Sequence, residues 1–207
     1  MLRTIPDWRE QLQNAVSPLS DGVGNLHVND FRPSDELQLR PGRTAAVLVP
    51  ILDLEQPQIL LTKRAAHLSK HAGQISFPGG GVEKADDSAV TTALREAWEE
   101  VGLPPESVTP LGFLDRFDTI SDYRVLPVVG WVDPPSVWNI DHREVDEVFT
   151  LPLEVALDPS YYSAQKIERN NQEFLIHSIE WKGHVIWGLT AAMLLNLQDR
   201  MNGLNTP

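Results

Sequence analysis

Apolar residues in this chain follow a helical rhythm in a few stretches and run almost unbroken in others. Ile5, Trp8, Leu12 and Val16 recur at helical spacing and predict a short amphipathic helix over residues 4–16. Residues 17–42 are rich in Ser, Asp, Gly, Asn and Pro and read as loop. Two β-branched, apolar runs follow at 44–54 and 58–63, separated only by Glu55-Gln56-Pro57, and they predict a hairpin. Residues 65–82 contain Gly73, Phe77-Pro78 and Gly79-Gly80-Gly81, which no regular element tolerates for long. A helix is predicted over 86–101, packed through Ala89, Ala93, Leu94 and Ala97. Asp86, Asp87 or Ser88 can cap its start, and Gly102 with Pro104-Pro105 ends it.

Further strands are predicted at 108–117 and 124–132, and short helices at 144–149 and 153–157. Strands at 164–167, 174–179 and 184–186 lead into a last helix at 189–201. Strands alternating with a few helices make an α/β domain. The expected division is an N-terminal helix-and-loop appendage at 1–42 and one larger domain at 43–207.

Composition narrows the setting. Hydrophobic residues form 42% of the 207 and charged residues 22%, which suits a folded domain rather than a disordered chain. The sequence has no cysteine, which removes disulfides and thiolate metal ligands and fits a cytoplasmic chain. No apolar run reaches the length of a membrane span, and no signal-peptide stretch opens the chain. Seventeen Lys and Arg against 29 Asp and Glu leave a net charge of −12, which repels a nucleic-acid backbone. An anionic substrate would then need a divalent cation between itself and the protein.

The helix at 86–101 offers a place for such a cation. Its Arg95-Glu96-Ala97-Trp98-Glu99-Glu100-Val101-Gly102 run puts Glu96, Glu99 and Glu100 within about one turn. Glutamates at this spacing usually form a solvated face, with Arg95 pairing to Glu99. One arginine cannot neutralise three carboxylates, and oxygen ligands alone suit Mg²⁺ or Mn²⁺ better than zinc. Gly79-Gly80-Gly81, just upstream, allows close backbone approach and offers carbonyls to a metal or phosphate site. The set Arg-Glu-x-x-Glu-Glu-x-Gly arises by chance about once per million positions, which favours the functional reading.

These residues carry a resemblance. Gly81-x5-Asp87-x7-Arg95-Glu96-Ala97-x-Glu99-Glu100-x-Gly102-Leu103 resembles the 23-residue Nudix box, with aspartate where the family has glutamate and alanine where it prefers a bulkier residue. The resemblance implies an α/β/α sandwich with a mixed central sheet and a metal-dependent diphosphate hydrolase. It also implies Glu96 and Glu100 as principal metal ligands, Glu99 as a further ligand, and Arg95 as the residue orienting them, with Asp87 supporting that network. The carbonyl of Gly80 is a further expected metal contact.

A second block is more selective. Leu60-Leu61-Thr62-Lys63-Arg64-Ala65-x3-Ser69-x3-Gly73-x3-Phe77-Pro78-Gly79-Gly80 resembles the extra signature of coenzyme A diphosphatases, which expects Ser at Ala65 and Arg at Ser69. Val125–Val129, Glu144–Leu153 and Trp187–Ala191 resemble later blocks of that subfamily, so the likeness spans roughly 43–195. The implied substrate is coenzyme A or a derivative, cut to 3′,5′-ADP and 4′-phosphopantetheine. Lys63, Arg64, Lys70, Gly79 and Gly80 are the expected substrate contacts, with His71 nearby. Losing an arginine at 69 removes a bidentate phosphate clamp.

Water attack on one phosphorus needs a carboxylate to take the proton, and Glu99, Glu144 and Glu147 are the candidates. Trp98 lies between the glutamates in sequence but points away from them, so packing is its expected role. Trp131, Trp138, Trp181 and Trp187 are expected to pack rather than to line a pocket. Two other readings stay open: a Nudix hydrolase of NADH, ADP-ribose or a dinucleotide, and a Nudix-like binding module without catalysis. The N-terminal helix could cover a homodimer seam as readily as its own core.

Overall fold

The computed structural model describes residues 7–21, 28–30, 43–119, 123–169 and 172–203. Its first helix, α1 (Trp8–Ala15), begins at Asp7, whose carboxylate accepts the Glu10 backbone N–H at 3.1 Å. The expected Ile5 and most of the expected loop at 22–42 lie outside the described residues, apart from the short strand β1 (Val28–Asp30). The predicted hairpin is present as β2 (Arg43–Leu52) and β3 (Gln58–Arg64), antiparallel through Ile51 and Ile59.

The glycine-rich stretch carries two short strands, β4 (Ile75–Ser76) and β5 (Gly79–Gly81). Helix α2 (Ala89–Val101) follows, then β6 (Val108–Phe113), β7 (Arg116–Asp118) and β8 (Tyr123–Val132). The remainder is β9 (Val145–Pro152), α3 (Leu153–Ala156), β10 (Tyr162–Arg169), β11 (Gln172–Trp181), β12 (His184–Trp187) and α4 (Leu189–Met201).

Among the described residues, nine strands form one mixed sheet and β10, β11 and β12 form a second, antiparallel one. The centre of the large sheet is the parallel pair β2–β8, ten residues in register from Arg43↔Tyr123 to Leu52↔Val132. Side chains alternate across the sheet. Ala46, Leu48, Leu60, Leu126 and Val128 face α2, where Ala93, Ala97 and Val101 close one apolar cluster. Val49, Ile51, Ile59, Leu61 and Val129 face the other way, against Leu194 and Leu197 of α4. Helices on both faces of a mixed sheet make the expected sandwich. Leu12 and Val16 of the N-terminal segment join this second cluster, so the apolar stripe of α1 is sealed within the chain's own core. Ser17 and Phe113 exchange backbone hydrogen bonds at 2.9 Å, and a Cβ at Gly112 would collide with the Ser17 carbonyl and Val16.

Two expectations fail locally. The helix expected over 144–149 is absent: Glu144 ends a turn and residues 145–149 open β9, where Val145, Val148, Phe149 and Thr150 suit extended backbone and the open edge of β3 supplies partners from Gln58↔Pro152 to Arg64↔Val145. The strand expected over 108–117 is broken into β6 and β7. Between them Asp115 turns inward, its N–H donating to Asn196 Oδ1 at 3.1 Å and its carboxylate pairing with Arg200. No helix among the described residues is long and apolar enough to cross a membrane.

Candidate active site

Helix α2 is fixed at both ends. Ser88 is its N-cap, accepting the Thr91 N–H at 3.1 Å. Gly102 ends it in the left-handed region, φ 68°, with Gly102 N–H donating to the Trp98 carbonyl at 2.9 Å and Leu103 N–H to the Ala97 carbonyl at 3.3 Å. Within that frame Glu99, Glu96 and Glu100 span an arc of about 100°. Glu99 sits at the solvent flank with its side chain 55% exposed, Glu96 is 15% exposed and Glu100 only 5%. The three acids therefore form one graded stripe running from solvent to the core edge.

β5 lies directly against this stripe because its glycines leave room. A Cβ at Gly80 would fall on the Glu96 carboxylate, 2.5 Å from Cδ and 2.6 Å from Oε2. At Gly79 it would meet the Ala46 carbonyl at 2.5 Å and Val47 Cα at 2.6 Å. Close approach, not positive φ, is what these two positions require.

Arg95 ties the flank together. Its Nη1 donates to Glu96 Oε1 at 2.9 Å and Glu99 Oε2 at 3.1 Å, and its Nη2 to the Gly81 carbonyl at 3.1 Å. The remaining bonds go to Asp86, not to the expected Asp87: Nε to Oδ1 at 3.1 Å and Nη2 to Oδ2 at 2.9 Å. Asp87 is exposed and lies outside that network, because Ser88 rather than either aspartate caps the helix and the chain before it turns Asp86 inward. The Arg95 bonds hold the Asp86 carboxyl well below the usual range.

On the core side, Arg64 Nη1 approaches Glu100 Oε1 at 4.0 Å, while Arg64 Nε is buried without a hydrogen-bond partner among the described residues. Burial pushes the Glu100 carboxyl up to about 8; Glu96 and Glu144 add to the rise, and Arg64 and the Gly79 N–H oppose it. Burial also raises Glu96, with Arg95 opposing and Glu99 and Glu144 reinforcing. Glu144 stands on the exposed rim, and its loop is pinned twice: Ala65 N–H donates to the Glu144 carbonyl at 2.8 Å and Asp141 N–H to the Glu100 carbonyl at 3.0 Å.

Other sequence candidates fall elsewhere. Lys63 neighbours Arg64 on β3 and so faces the opposite side of the sheet, in register with Glu147. Glu147 accordingly meets His184, Oε1 to Nε2 at 3.4 Å, and is not brought to the glutamate stripe. Lys70 is exposed on the loop between β3 and β4, beside His71 at φ 57°. Trp131 is core, Trp138 and Trp181 pack against the two cores, and Trp98 and Trp187 are exposed, so packing does not account for those last two.

The family model described as NUDIX domain matches residues 42–172. The chain belongs to the Nudix hydrolase family. It is therefore an enzyme, a pyrophosphohydrolase acting on nucleoside diphosphate derivatives, and Nudix hydrolases generally use divalent metal ions. A protein named Nudix hydrolase NudL from Pectobacterium atrosepticum is 42% identical over 184 residues, covering 84% of this chain and 96% of its own length. The NudL of Enterobacter sp. strain 638 is 40% identical over 180 residues, covering 84% and 94%. Among solved structures, a NUDIX hydrolase from Nitrosomonas europaea aligns with a TM-score of 0.49 at 16% identity, over 79% of this chain and 72% of that one. The NUDIX domain of Shewanella oneidensis NrtR, complexed with ADP ribose, aligns with a TM-score of 0.44 at 20% identity, over 59% and 80%.

The Nudix residues suit a hard divalent ion. Glu96 and Glu100 are oxygen donors whose carboxyls are raised by burial and by neighbouring carboxylates (Glu99 and Glu144 for Glu96, Glu96 and Glu144 for Glu100), so a cation would relieve both. Among the described residues no three acidic or imidazole groups are placed together as a set that could hold a metal ion. Mg²⁺ sites rarely need three, since one or two carboxylates hold the ion and substrate phosphates supply further oxygens.

Proposed function

We propose that this enzyme is a coenzyme A diphosphatase, cleaving the P–O–P bridge of coenzyme A or its derivatives to 3′,5′-ADP and 4′-phosphopantetheine or its acyl form. The observation that carries the reading is Arg64. It belongs to the Leu60–Gly80 block that resembles the coenzyme A diphosphatase signature, and its guanidinium reaches the glutamate stripe with a buried, unpartnered Nε. A buried donor without an acceptor is costly, and a phosphate oxygen would satisfy it. The departure at Ala65 does not count against the reading, because Ala65 is fully buried. Ser69 is exposed, so the missing arginine there leaves Arg64 and Lys70 as the basic groups of this loop.

Glu96 and Glu100, with Glu99 and the Gly80 carbonyl as further oxygen donors, are the groups that would hold Mg²⁺ or Mn²⁺. When bound, such ions neutralise the diphosphate and acidify water. Arg95 fixes Glu96 and Glu99 by hydrogen bonds. Gly79 and Gly80 let β5 lie close against β2 and the Glu96 carboxylate, which sets that ligand beside the diphosphate, and Arg64 clamps a phosphate oxygen. Glu144, on the rim and electrostatically coupled to Glu96 and Glu100, takes the proton from the attacking water. The new P–O bond forms on one phosphorus, and the bridging oxygen leaves with the electron pair on the other phosphate.

Steady-state turnover of coenzyme A, ADP-ribose and NADH with Mg²⁺ or Mn²⁺ tests the assignment. Coenzyme A should give the highest kcat/KM; a tenfold preference for either competitor overturns it, and no turnover of any diphosphate would return the non-catalytic reading.

A further inference from the structure

The Nudix signature places an acid at Asp87 to hold the catalytic arginine, yet the side chain that does so here stands one residue earlier. The Asp86 side chain is 2% exposed and both of its oxygens accept hydrogen bonds. Oδ1 accepts Arg95 Nε at 3.1 Å, and Oδ2 accepts Arg95 Nη2 and Thr92 Oγ1, each at 2.9 Å. Oδ2 also accepts the Glu83 N–H at 2.9 Å, while Asp86 N–H returns a bond to the Glu83 carbonyl at 3.0 Å. The carboxylate is thus held by two donors besides the guanidinium, and a backbone bond holds its main chain. The Nε/Nη2 fork is the bidentate geometry that fixes an arginine plane rather than merely neutralising it.

That plane decides where Nη1 points, and Nη1 is the donor to both Glu96 and Glu99. We propose that Asp86 is the positioning residue of this active site: through Arg95 it sets the carboxylate orientation that receives the divalent ion, a role the signature assigns to position 87. The assignment rests on Glu96 and its neighbours holding the metal. Thr92 is part of the same device, being 0% exposed and donating from the first turns of α2 to the carboxylate that grips its middle.

The test compares Asp86→Asn with Asp87→Asn in the full chain. Mn²⁺ binding is followed by isothermal titration without substrate, alongside kcat and KM at saturating Mn²⁺. Groups that orient metal ligands cost about 10–100-fold in metal affinity or activity when removed. D86N should therefore weaken Mn²⁺ binding and lower kcat by about tenfold or more, with KM within about threefold of native. D87N should stay within about twofold in all three. Thr92→Val, nearly isosteric, should weaken Mn²⁺ binding by about two- to threefold with native circular dichroism, and it decides the matter should D86N fail to fold.

Native Mn²⁺ affinity in D86N or in T92V overturns the inference, as does a D87N variant as impaired as D86N. Native protein that binds no Mn²⁺ overturns the metal reading beneath it, a distinct result because the comparison among variants then has no signal.

Discussion

Gly80→Ala separates catalysis from stability by a single methyl group. The added Cβ would lie 2.6 Å from Glu96 Oε2 and 2.5 Å from Cδ, with Oε1 closer still. Ordinary contact begins near 3.4 Å, so the carboxylate must retreat by about 1 Å. The obstacle is the far end of a flexible side chain, and Gly80 has no positive φ, so β5 itself is not strained. Folding stability should change by less than about 1 kcal/mol, the lost Glu96 contacts being partly offset by reduced freedom of the unfolded chain. Activity should not be spared: a displacement near 1 Å at a reacting centre costs on the order of 100-fold. Two neighbours serve as controls. A methyl at Gly81 meets nothing within 4 Å, so Gly81→Ala should keep native turnover. Gly79→Ala runs into the backbone of Ala46 and Val47 and should lose about 1–3 kcal/mol of stability. Diphosphatase kinetics with Mg²⁺ and chemical denaturation of the three variants provide the readout. A G80A enzyme within threefold of native kcat/KM would refute the claim that the Glu96 position against β5 is the working geometry.

Glu100→Gln should abolish most turnover and, in metal-free buffer, stabilise the fold. A carboxyl raised from 4.5 to about 8 disfavours folding increasingly as pH climbs between those values, by about 2 kcal/mol at pH 6 and approaching about 4 kcal/mol at pH 8, so E100Q and native melts should converge near pH 4.5 and diverge above it; parallel melts at all pH values contradict the assigned cause. Arg64→Ala should raise the KM for coenzyme A by about tenfold or more with a smaller change in kcat, and an unchanged KM removes Arg64 from the phosphate clamp. Leu12→Ala, at a fully buried site, should lose about 2–4 kcal/mol in denaturant unfolding; a loss under about 0.5 kcal/mol would mean that α1 contributes little to the core.

What could be read from sequence, and what could not, divides along the reach of each interaction. Glu96, Glu99 and Glu100 were legible because helical spacing fixes their relative directions whatever the helix packs against. The hairpin of β2 and β3 and the last helix were legible for the same local reason, carrying their own periodicity and turn residues. Residues 144–149 were not, since Glu144-Val145-Asp146-Glu147-Val148-Phe149 fits either period and the vacant edge of β3 decided the outcome. Lys63 and Arg64 are adjacent basic residues in the sequence and lie on opposite faces of the sheet, a separation that becomes visible once the run is known to be a strand.

Asp86 and Asp87 pose the hardest case, because the pair differs by one position and no local property distinguishes the two. Their fates diverge where Ser88 takes the cap and the Glu83–Asp86 bonds turn the preceding chain, so Asp86 faces Thr92 and Arg95 while Asp87 faces solvent. A signature position therefore records where a family usually finds a carboxylate for its arginine, and the capping geometry of the individual chain decides which carboxylate that is. The same logic bears on Glu100. Its spacing marks it as a ligand candidate, but its raised pKa comes from burial at the core edge and from the nearby charges of Glu96 and Glu144, which fold-level contacts alone assemble. Stability measured with and without Mn²⁺ should consequently respond most strongly above pH 7, where the ion replaces the proton on Glu100, and a metal-induced shift independent of pH would show that Glu100 stays outside the coordination sphere.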